Sequence, residues 1–267
     1  MDDSALLVLS VELARRAGEA ILEIRRTGFE VQCKADHSPV TAADHAAEAI
    51  IVAGLRAAAP DIPVIAEEEV ASGRVSAPAA CFWLVDPLDG TREFTSGSDE
   101  FAVNIGLVRN GHPVIGVVAV PAVRELFWGV VGVGAWKQTP AGEGQISARA
   151  PPAEGLTVVA SRHHGDVARL AAFLCGRSVA KTRNLGSSLK FCLLAEGAAD
   201  LYPRFGRTME WDTCAPHAVL EAAGGRVRTV EGAPLLYGKP GWENPHFICT
   251  GKADPGGRDV PAAPSPA

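Results

Sequence analysis

One segment of the sequence predicts a strand, a tight turn and a helix start in succession: Phe82-Trp-Leu-Val-Asp86-Pro-Leu-Asp89-Gly-Thr91-Arg-Glu-Phe94. Its first four residues are apolar, so they predict a buried strand with Asp86 at its carboxyl end. Pro87 keeps Asp86 extended, and Gly90 permits a sharp turn, after which Thr91 can begin a short helix. This arrangement would hold two carboxylates and a hydroxyl close together beside a helix N-terminus.

The two carboxylates of this segment, Asp86 and Asp89, point to a metal ion. Like charges that emerge from an apolar strand repel each other and resist desolvation unless a cation joins them. Oxygen ligands without a nearby His or Cys favour a hard ion, Mg2+ above all, over zinc. A solvated turn is the alternative, because Asp-Pro and Asp-Gly are common turn pairs, but it accounts for either pair better than for the whole segment.

Three further acidic positions extend this pattern, and each also has a purely structural interpretation. Glu67-Glu68-Glu69 follows a short apolar strand but is equally typical of a solvated loop. Asp212 follows Trp211 and precedes a predicted helix, where it could be an ordinary N-cap. Asp44 ends a Thr-Ala-Ala-Asp pattern that predicts a capping box.

The remaining periodicities predict a mixed α/β chain. Apolar residues at three-to-four spacing predict a first helix over residues 5–26, and a second helix runs to about Ala58. Asn110-Gly111 between two β-rich runs predicts a hairpin of strands 101–108 and 113–120. Residues 141–154 are turn-rich and are expected to separate two halves, the second of which has predicted helices over residues 165–174, 187–196 and 213–223.

Composition places the chain among globular proteins. It has 267 residues, and the hydrophobic content of 47% excludes a disordered chain. The formal net charge of -6 argues against a nucleic-acid binder. No apolar run approaches the roughly 20 residues of a membrane span, and the acidic start is unlike a secretory signal. The six cysteines are expected to be free thiols in a cytoplasmic enzyme.

Three separated motifs of the chain together resemble the inositol monophosphatase superfamily. They are Asp86-Pro-Leu-Asp89-Gly-Thr91, the upstream pair Glu67-Glu68, and Trp211-Asp212 together with Ala222-Ala-Gly224-Gly225. Its members are Mg2+-dependent, lithium-sensitive phosphatases. The resemblance implies an α/β (α+β) fold, a five-layer αβαβα sandwich. We expect an N-terminal α+β half over residues 1–150, a C-terminal α/β half over 151–250 and a disordered tail over 251–267.

The resemblance also implies a metal centre. It would hold two or three Mg2+ ions through Glu67, Asp86, the backbone carbonyl of Leu88, Asp89 and Asp212. Thr91, paired with Asp44, would orient a metal-bound water for attack, and Glu68 would contribute indirectly. The four side-chain carboxylates carry the same formal charge, with opposite sign, as two Mg2+ ions, so an anionic phosphate would meet a neutralised site.

Other segments narrow the implied substrate. Residues 158–163, 186–192 and 201–205 resemble CysQ-type 3'(2'),5'-bisphosphate nucleotidases, whereas Thr91-Arg-Glu-Phe94 differs from the inositol phosphatase branch. The implied reaction is hydrolysis of adenosine 3',5'-bisphosphate to AMP and phosphate, and of the 3'-phosphate of 3'-phosphoadenylyl sulfate. The implied substrate-binding residues are Gly90, Thr91, Ser161, Arg162, His163, Ser187, Ser188, Lys190 and Arg204.

Two alternatives are kept: an inositol-1-phosphate or sugar-phosphate phosphatase, and a phosphate-ligand sensor that has lost catalysis. The expected partner is a small phosphorylated nucleotide, with no nucleic acid and no integral membrane segment. The protein would be a monomer or a homodimer, cytoplasmic or peripheral at the cytoplasmic face of the inner membrane.

Overall fold

A computed structural model of the chain describes residues 1–34, 39–74, 77, 79–162 and 166–252. Two helices, α1 (Asp3–Thr27) and α2 (Ala42–Ala58), are joined by a small hairpin of β1 (Val31–Cys33) and β2 (Pro39–Thr41). α2 begins with the capping box that the sequence predicts, because the Thr41 side chain accepts from Ala43 N while Asp44 accepts from Thr41 N. The predicted tail lies outside the described residues from residue 253 onward.

A seven-stranded sheet forms the larger of the two sheets. Its strands lie in the order of the chain, and all neighbours are antiparallel except the first pair, which is parallel. The predicted Asn110-Gly111 hairpin joins its third and fourth strands, with both turn residues at positive φ. The strands are β3 (Val64–Ala66), β4 (Cys81–Asp89), β5 (Ala102–Arg109), β6 (His112–Val120), β7 (Glu125–Val130), β8 (Gly134–Thr139) and β9 (Gly142–Ile146).

A five-stranded sheet follows in the second half. Its strands are β10 (Leu156–Ser161), β11 (Val179–Leu185), β12 (Leu201–Arg204), β13 (Arg226–Thr229) and β14 (Phe247–Thr250), in the order β11-β10-β12-β14-β13. The remaining helices are α3 (Glu67–Ala71), α4 (Thr91–Thr95), α5 (Val167–Leu174), α6 (Leu189–Ala195) and α7 (Glu210–Ala222).

Three hydrophobic cores separate five layers. α1 and α2 cover one face of the seven-stranded sheet, in a core that contains Trp83 and Val85 of β4. Phe82 and Leu84 lie on the opposite face, in a core shared with α6, α7 and the five-stranded sheet. The third core joins that sheet to α5 through residues such as Phe173. The layers therefore run helix, sheet, helix, sheet, helix, which confirms the predicted five-layer αβαβα sandwich.

A row of glycines brings α7 against the seven-stranded sheet. Gly106 pairs with Gly116, which in turn pairs with Gly129, so the three lie side by side on adjacent strands. A Cβ at Gly116 would overlap the carbonyl of Ala215, and Cβ atoms at the other two would lie 2.6 and 2.8 Å from atoms of α7. The helix backbone therefore rests directly on the sheet, which sets the position of Asp212 relative to β4.

Several sequence-based boundaries differ from the structure. The turn-rich stretch 141–154 contains β9, which adds a seventh strand at the edge of the sheet. α7 begins at Glu210, three residues earlier than predicted. Asp212 is therefore the third residue of the helix rather than its N-cap, and its carboxylate accepts a hydrogen bond from the N–H of Met209, the residue before the helix. The seven strands between residues 64 and 146 form one sheet, and the five strands between residues 156 and 250 form another. The division into two domains at residue 150 stays a prediction. All six cysteines are free thiols.

Candidate metal centre and active site

The parallel pairing of β3 and β4 brings the first two acidic side chains to one edge of the sheet. Ala66 pairs with Val85, and the next residues are Glu67, the first of α3, and Asp86, within β4. Because the two strands run in the same direction, the side chains of Glu67 and Asp86 lie near the same edge of the sheet. The Asp86 Oδ1 also accepts from Leu88 N at 3.0 Å, which fixes the turn through Pro87.

Asp212 approaches the same edge from the first turn of α7. Its Oδ2 accepts from Met209 N at 2.8 Å, so the carboxylate is oriented by the helix start on which it lies. One carboxylate oxygen from each of Glu67, Asp86 and Asp212 lies within 4.8 Å of the other two. Three segments far apart in sequence thus converge on one volume.

The electrostatics of this cluster favour a bound cation. Burial, followed by the charges of Glu67 and Asp89, raises the pKa of Asp86 well above its ordinary value. Burial, and then the same two neighbours, raises the pKa of Asp212 to about 8. Such shifts mean that the carboxylates resist being charged together in the absence of a counter-charge. The donor set, carboxylate oxygens at mutual distances below 4.8 Å, fits a hard divalent cation such as Mg2+.

Asp89 lies on the same strand but is held by a different set of contacts. Its Oδ2 accepts from Ser188 N and, at 3.4 Å, from Asn104 Nδ2. Asn104 in turn accepts from Ser188 Oγ at 2.9 Å. Burial raises the pKa of Asp89, while the positive charge of Lys190 acts in the opposite direction. The loop before α6 is therefore attached to the acidic edge through this carboxylate.

Gly90 and Thr91 turn the chain away from the strand as predicted. Gly90 has φ 93° and ψ 41°, a left-handed conformation that costs an L side chain about 1–2 kcal/mol. The turn brings the Thr91 hydroxyl 3.1 Å from Asp44 Oδ1 and 3.1 Å from the carbonyl of Leu88. The Leu88 carbonyl and the hydroxyl are thus neighbours of the acidic cluster.

The two carboxylate oxygens of Asp44 make different contacts. Oδ2 accepts from the N–H and the hydroxyl of Thr41, at 2.7 and 2.8 Å, and closes the capping box. Oδ1 faces the Thr91 hydroxyl. Burial raises the pKa of Asp44, although the hydrogen bonds from Thr41 act to lower it.

A cavity of about 570 Å³ opens beside this edge. It is lined by the carboxylates of Glu67, Asp86, Asp89 and Asp212 and by two buried basic residues, Lys190 and Arg204. The other predicted substrate-binding residues that line it are Gly90, Thr91, Ser161, Ser187 and Ser188.

Lys190 and Arg204, the two basic cavity residues that are buried, are held differently from each other. The Lys190 ammonium donates to the carbonyls of Leu185, Gly186 and Ser187, and burial lowers its pKa to about 8. Arg204 donates from Nη2 to Arg207 O at 2.8 Å, while its buried Nε has no hydrogen-bond partner. Arg204 therefore keeps one buried N–H without a partner, whereas the ammonium of Lys190 binds the carbonyls of residues 185–187, just before α6.

Arg162 and His163 complete the predicted set. Arg162 donates to Glu100 Oε1 at 2.9 Å, and Glu100 Oε2 accepts from Gly186 N at 2.7 Å. Arg162 thus supports the loop 186–188 through a carboxylate. His163 lies outside the described residues.

The chain is similar to known proteins along nearly its whole length. The model of the inositol monophosphatase family matches residues 2–254. The chain belongs to the inositol monophosphatase family. This is a metal-dependent family, in agreement with the acidic cluster described above.

Among curated relatives, the most informative similarity is to enzymes named 3'(2'),5'-bisphosphate nucleotidase CysQ. The protein from Escherichia coli strain K12 is 46% identical over 228 residues, which cover 85% of this chain and 91% of that protein. The protein from Salmonella typhimurium is 45% identical over 242 residues, covering 90% of this chain and 97% of that protein.

Solved structures show the same relationship. CysQ from Bacteroides thetaiotaomicron, described as a bacterial member of the inositol monophosphatase family, superposes with a TM-score of 0.78 at 36% identity and covers 94% of this chain and 98% of its own. An inositol monophosphatase from Anabaena has a TM-score of 0.73 at 27% identity, covering 93% of this chain and 91% of its own. In the described part of the chain, no helix combines the length and the apolar character needed to cross a membrane.

Three residues near the site escaped the sequence analysis. Lys34 Nζ contacts Glu67 Oε1 at 2.6 Å and Glu68 Oε1 at 2.5 Å. Glu48 accepts from Glu68 N at 2.7 Å, so Glu68 is held from two sides. Asn104 is wholly buried in an apolar strand, and a lone polar residue in such a run was the available signal.

Proposed function

We propose that this chain is a Mg2+-dependent 3'(2'),5'-bisphosphate nucleotidase that hydrolyses the 3'-phosphate of adenosine 3',5'-bisphosphate to give AMP and phosphate. The 3'-phosphate of 3'-phosphoadenylyl sulfate is a second substrate in this proposal. The observation that carries it is the 46% identity with the CysQ enzyme over 85% of the chain.

The presence of both acidic and basic residues in the cavity supports a substrate with two phosphates. The carboxylates, once they hold a divalent cation, suit the phosphate that is cleaved. Arg204 and Lys190, which line the same cavity as Ser187 and Ser188, suit a second, distal phosphate. Arg204 and Lys190 would supply positive charge to that second phosphate, which a monophosphate substrate would not use.

In this proposal the metal ligands are Glu67, Asp86 and Asp212, joined by Asp89 and the Leu88 carbonyl. Two or three Mg2+ ions per site would neutralise the phosphate and lower the pKa of a bound water. The carboxylates Glu67, Asp86 and Asp212 fix the geometry because strands and a helix start hold them. Glu68 would contribute indirectly, because it shares Lys34 with Glu67 in the metal-free protein.

The Thr91–Asp44 pair would activate the attacking water. The Thr91 oxygen accepts a proton from water as the water oxygen bonds to phosphorus, and the Thr91 proton moves to Asp44 Oδ1 across the 3.1 Å contact. The bond from phosphorus to the ribose 3'-oxygen breaks, the leaving oxygen takes a proton from solvent water, and Asp44 returns the proton it received to solvent. Gly90 and Thr91 N–H groups would bind the phosphate oxygens.

The distal subsite would be formed by Arg204 and Lys190. Arg204, which lines the cavity, would bind the 5'-phosphate through its guanidinium group. Lys190 would act through its charge and through the loop carbonyls that it binds, and Ser161, Arg162 and His163 would border the ribose and base. Because the Lys190 ammonium already donates to three carbonyls, Arg204 would make the more direct contact with the second phosphate.

Phosphate release from three substrates tests the proposal. Adenosine 3',5'-bisphosphate, inositol-1-phosphate and fructose-1,6-bisphosphate are each incubated with Mg2+, with and without Li+. We expect the bisphosphate nucleotide to be preferred and Li+ to inhibit its hydrolysis. Equal or faster hydrolysis of inositol-1-phosphate would support the inositol phosphatase alternative, and no hydrolysis of any substrate would support an inactive sensor.

A further inference from the structure

Lys34 lies inside the acidic cluster rather than at its edge. Its ammonium joins Glu67 Oε1 at 2.6 Å to Glu68 Oε1 at 2.5 Å, and its side chain is only 12% exposed. Glu67 also supplies one of the three converging oxygens of the metal centre. The same carboxyl group is therefore shared between an ion pair and a predicted metal site.

The ammonium acts on more carboxylates than the two it touches. Its positive charge lowers the pKa of Asp86 and of Asp44, against the larger effect of their burial. Burial alone would lower the pKa of Lys34, but the pairing with Glu67 and Glu68 outweighs it and leaves this pKa raised. Lys190, the other buried ammonium in the cavity, donates to backbone carbonyls instead. Among the residues that the structure describes, Lys34 is thus the cation that pairs directly with a carboxylate of the cluster.

We propose that Lys34 is a tethered counter-ion of the metal-free protein, whose ammonium is displaced from Glu67 when a divalent cation binds. This inference rests on the metal site of the proposed function but concerns a different property, the competition between two cations for one carboxylate.

The physical reason is charge repulsion at short range. A hard divalent cation binds a carboxylate oxygen at about 2.0–2.6 Å. An ammonium that stayed 2.6 Å from Glu67 would then lie within a few ångströms of the ion in a poorly hydrated site, where like charges repel strongly. Release of the ammonium removes this cost, while Glu68 remains available as its partner.

Displacement would keep the ammonium within the cavity. Lys34 itself lines the cavity, together with Glu67, Lys190 and Arg204. A lysine that leaves Glu67 would therefore still border the cavity, where it could meet an anion. Metal entry would then add the charge of the lysine to that of the metal on the substrate side.

The competition predicts opposite effects on metal affinity and on metal-free stability. In Lys34→Met, which keeps an apolar stem but no charge, we expect calorimetric titration with Mg2+ to show at least about fivefold tighter binding. The Tm in EDTA should fall, because Glu67 and Glu68 lose their counter-charge. The rise of Tm on adding Mg2+ should therefore be larger than in the unaltered protein.

Lys137→Met is the matched control. Lys137 also bridges two carboxylates, Glu125 and Glu196, and its side chain is 19% exposed, but it lies outside the cavity-lining set. Its removal should lower the Tm without changing Mg2+ affinity. Weaker or unchanged Mg2+ binding in Lys34→Met would overturn the inference, since Lys34 would then support the site. Absence of Mg2+ binding to the unaltered protein would contradict the metal site itself and the inference with it.

A second measurement uses the unaltered chain, so it does not depend on the folding of a variant. Lysines are acetylated with a limiting amount of an amine-reactive acetylating reagent, with and without saturating Mg2+. The modified peptides are then quantified by mass spectrometry. Release from Glu67 should increase the modification rate of Lys34 several-fold and leave that of Lys137 unchanged. An unchanged or slower rate at Lys34 would show that the ammonium stays in place.

Discussion

The Thr91 hydroxyl lies 3.1 Å from Asp44 Oδ1, and the other oxygen of Asp44 is bound by the N-terminal turn of its own helix. A helix cap therefore fixes the position of the group that would receive the proton of the attacking water. The structural role of Asp44 and its proposed catalytic role would therefore use different oxygens of one carboxylate. The arrangement explains how a residue from α2 can act on a turn that follows β4.

Removal of the Thr91 hydroxyl should abolish most of the activity while leaving the fold intact. In Thr91→Ala we expect kcat to fall by about 10²–10⁴-fold, the range associated with a positioned proton acceptor. Thr91→Ser keeps the hydroxyl and should retain most of kcat. Phosphate release at saturating Mg2+ measures both, and equal loss in the two variants would assign the role of Thr91 to its methyl group and packing.

Asp89→Asn tests the link between the acidic edge and the loop before α6. The amide is isosteric and can still accept from Ser188 N, but it lacks the charge needed to bind a metal. We expect turnover to fall by at least about 10²-fold at saturating Mg2+. Far-UV circular dichroism should be unchanged, and most activity remaining in this variant would remove Asp89 from the ligand set.

Arg204 should discriminate between substrates with one and two phosphates. In Arg204→Met we expect KM for adenosine 3',5'-bisphosphate to rise by about 10–100-fold, the cost of a lost hydrogen bond to a charged group. Adenosine 3'-monophosphate, which lacks the distal phosphate, is the matched substrate. Its KM should be nearly the same in both proteins, and an equal rise for both substrates would place Arg204 outside the 5'-phosphate subsite.

The local geometry of the site could be predicted from the sequence because neighbouring residues determine it. Asp86, Gly90 and Thr91 lie where the Asp-Pro and Asp-Gly pairs place them. The convergence of Asp212 was implied only by family resemblance, since taken alone that residue suits an ordinary helix start. The structure shows that it also has a capping role, at the third position of α7.

Long-range contacts could not be predicted in the same way. The row of Gly106, Gly116 and Gly129 depends on strand register, which no local pattern specifies. The pairing of Lys34 with Glu67 joins residues on two separate elements. Lys190 had the residue type expected of a phosphate ligand, but its ammonium binds carbonyls of the preceding loop, a contact that depends on the fold.

The raised carboxyl pKa values predict an unusual pH dependence for the metal-free protein. Burial raises the pKa of Asp212 from 3.8 to about 8 and those of Glu48 and Glu68 from 4.5 to about 7. Between the unfolded and folded values, the folded state holds protons that the unfolded state releases, so the free energy of unfolding falls as pH rises.

We therefore expect the Tm in EDTA to decrease between pH 6 and pH 8, and saturating Mg2+ to reverse the decrease by binding the charged carboxylates. Differential scanning calorimetry at three pH values measures this slope. Asp212→Asn should make the slope smaller because one of the titrating groups is removed. A Tm in EDTA that rises over this range would contradict the assigned direction.

The glycine row should be as important for the metal centre as the ligands themselves, although it contacts no ligand atom. A Cβ at Gly116 would overlap the carbonyl of Ala215, so Gly116→Ala must push α7 away from the sheet. We expect a loss of about 3 kcal/mol of stability, as for other overpacked cores. Because Asp212 lies in the first turn of α7, Mg2+ affinity should fall together with stability.

Gly144→Ala is the matched control in the same sheet, since a Cβ there meets no atom within 4 Å. Urea unfolding and calorimetric Mg2+ titration of both variants measure the two effects, and a destabilised Gly116→Ala protein with normal Mg2+ affinity would show that the sheet does not set the position of Asp212.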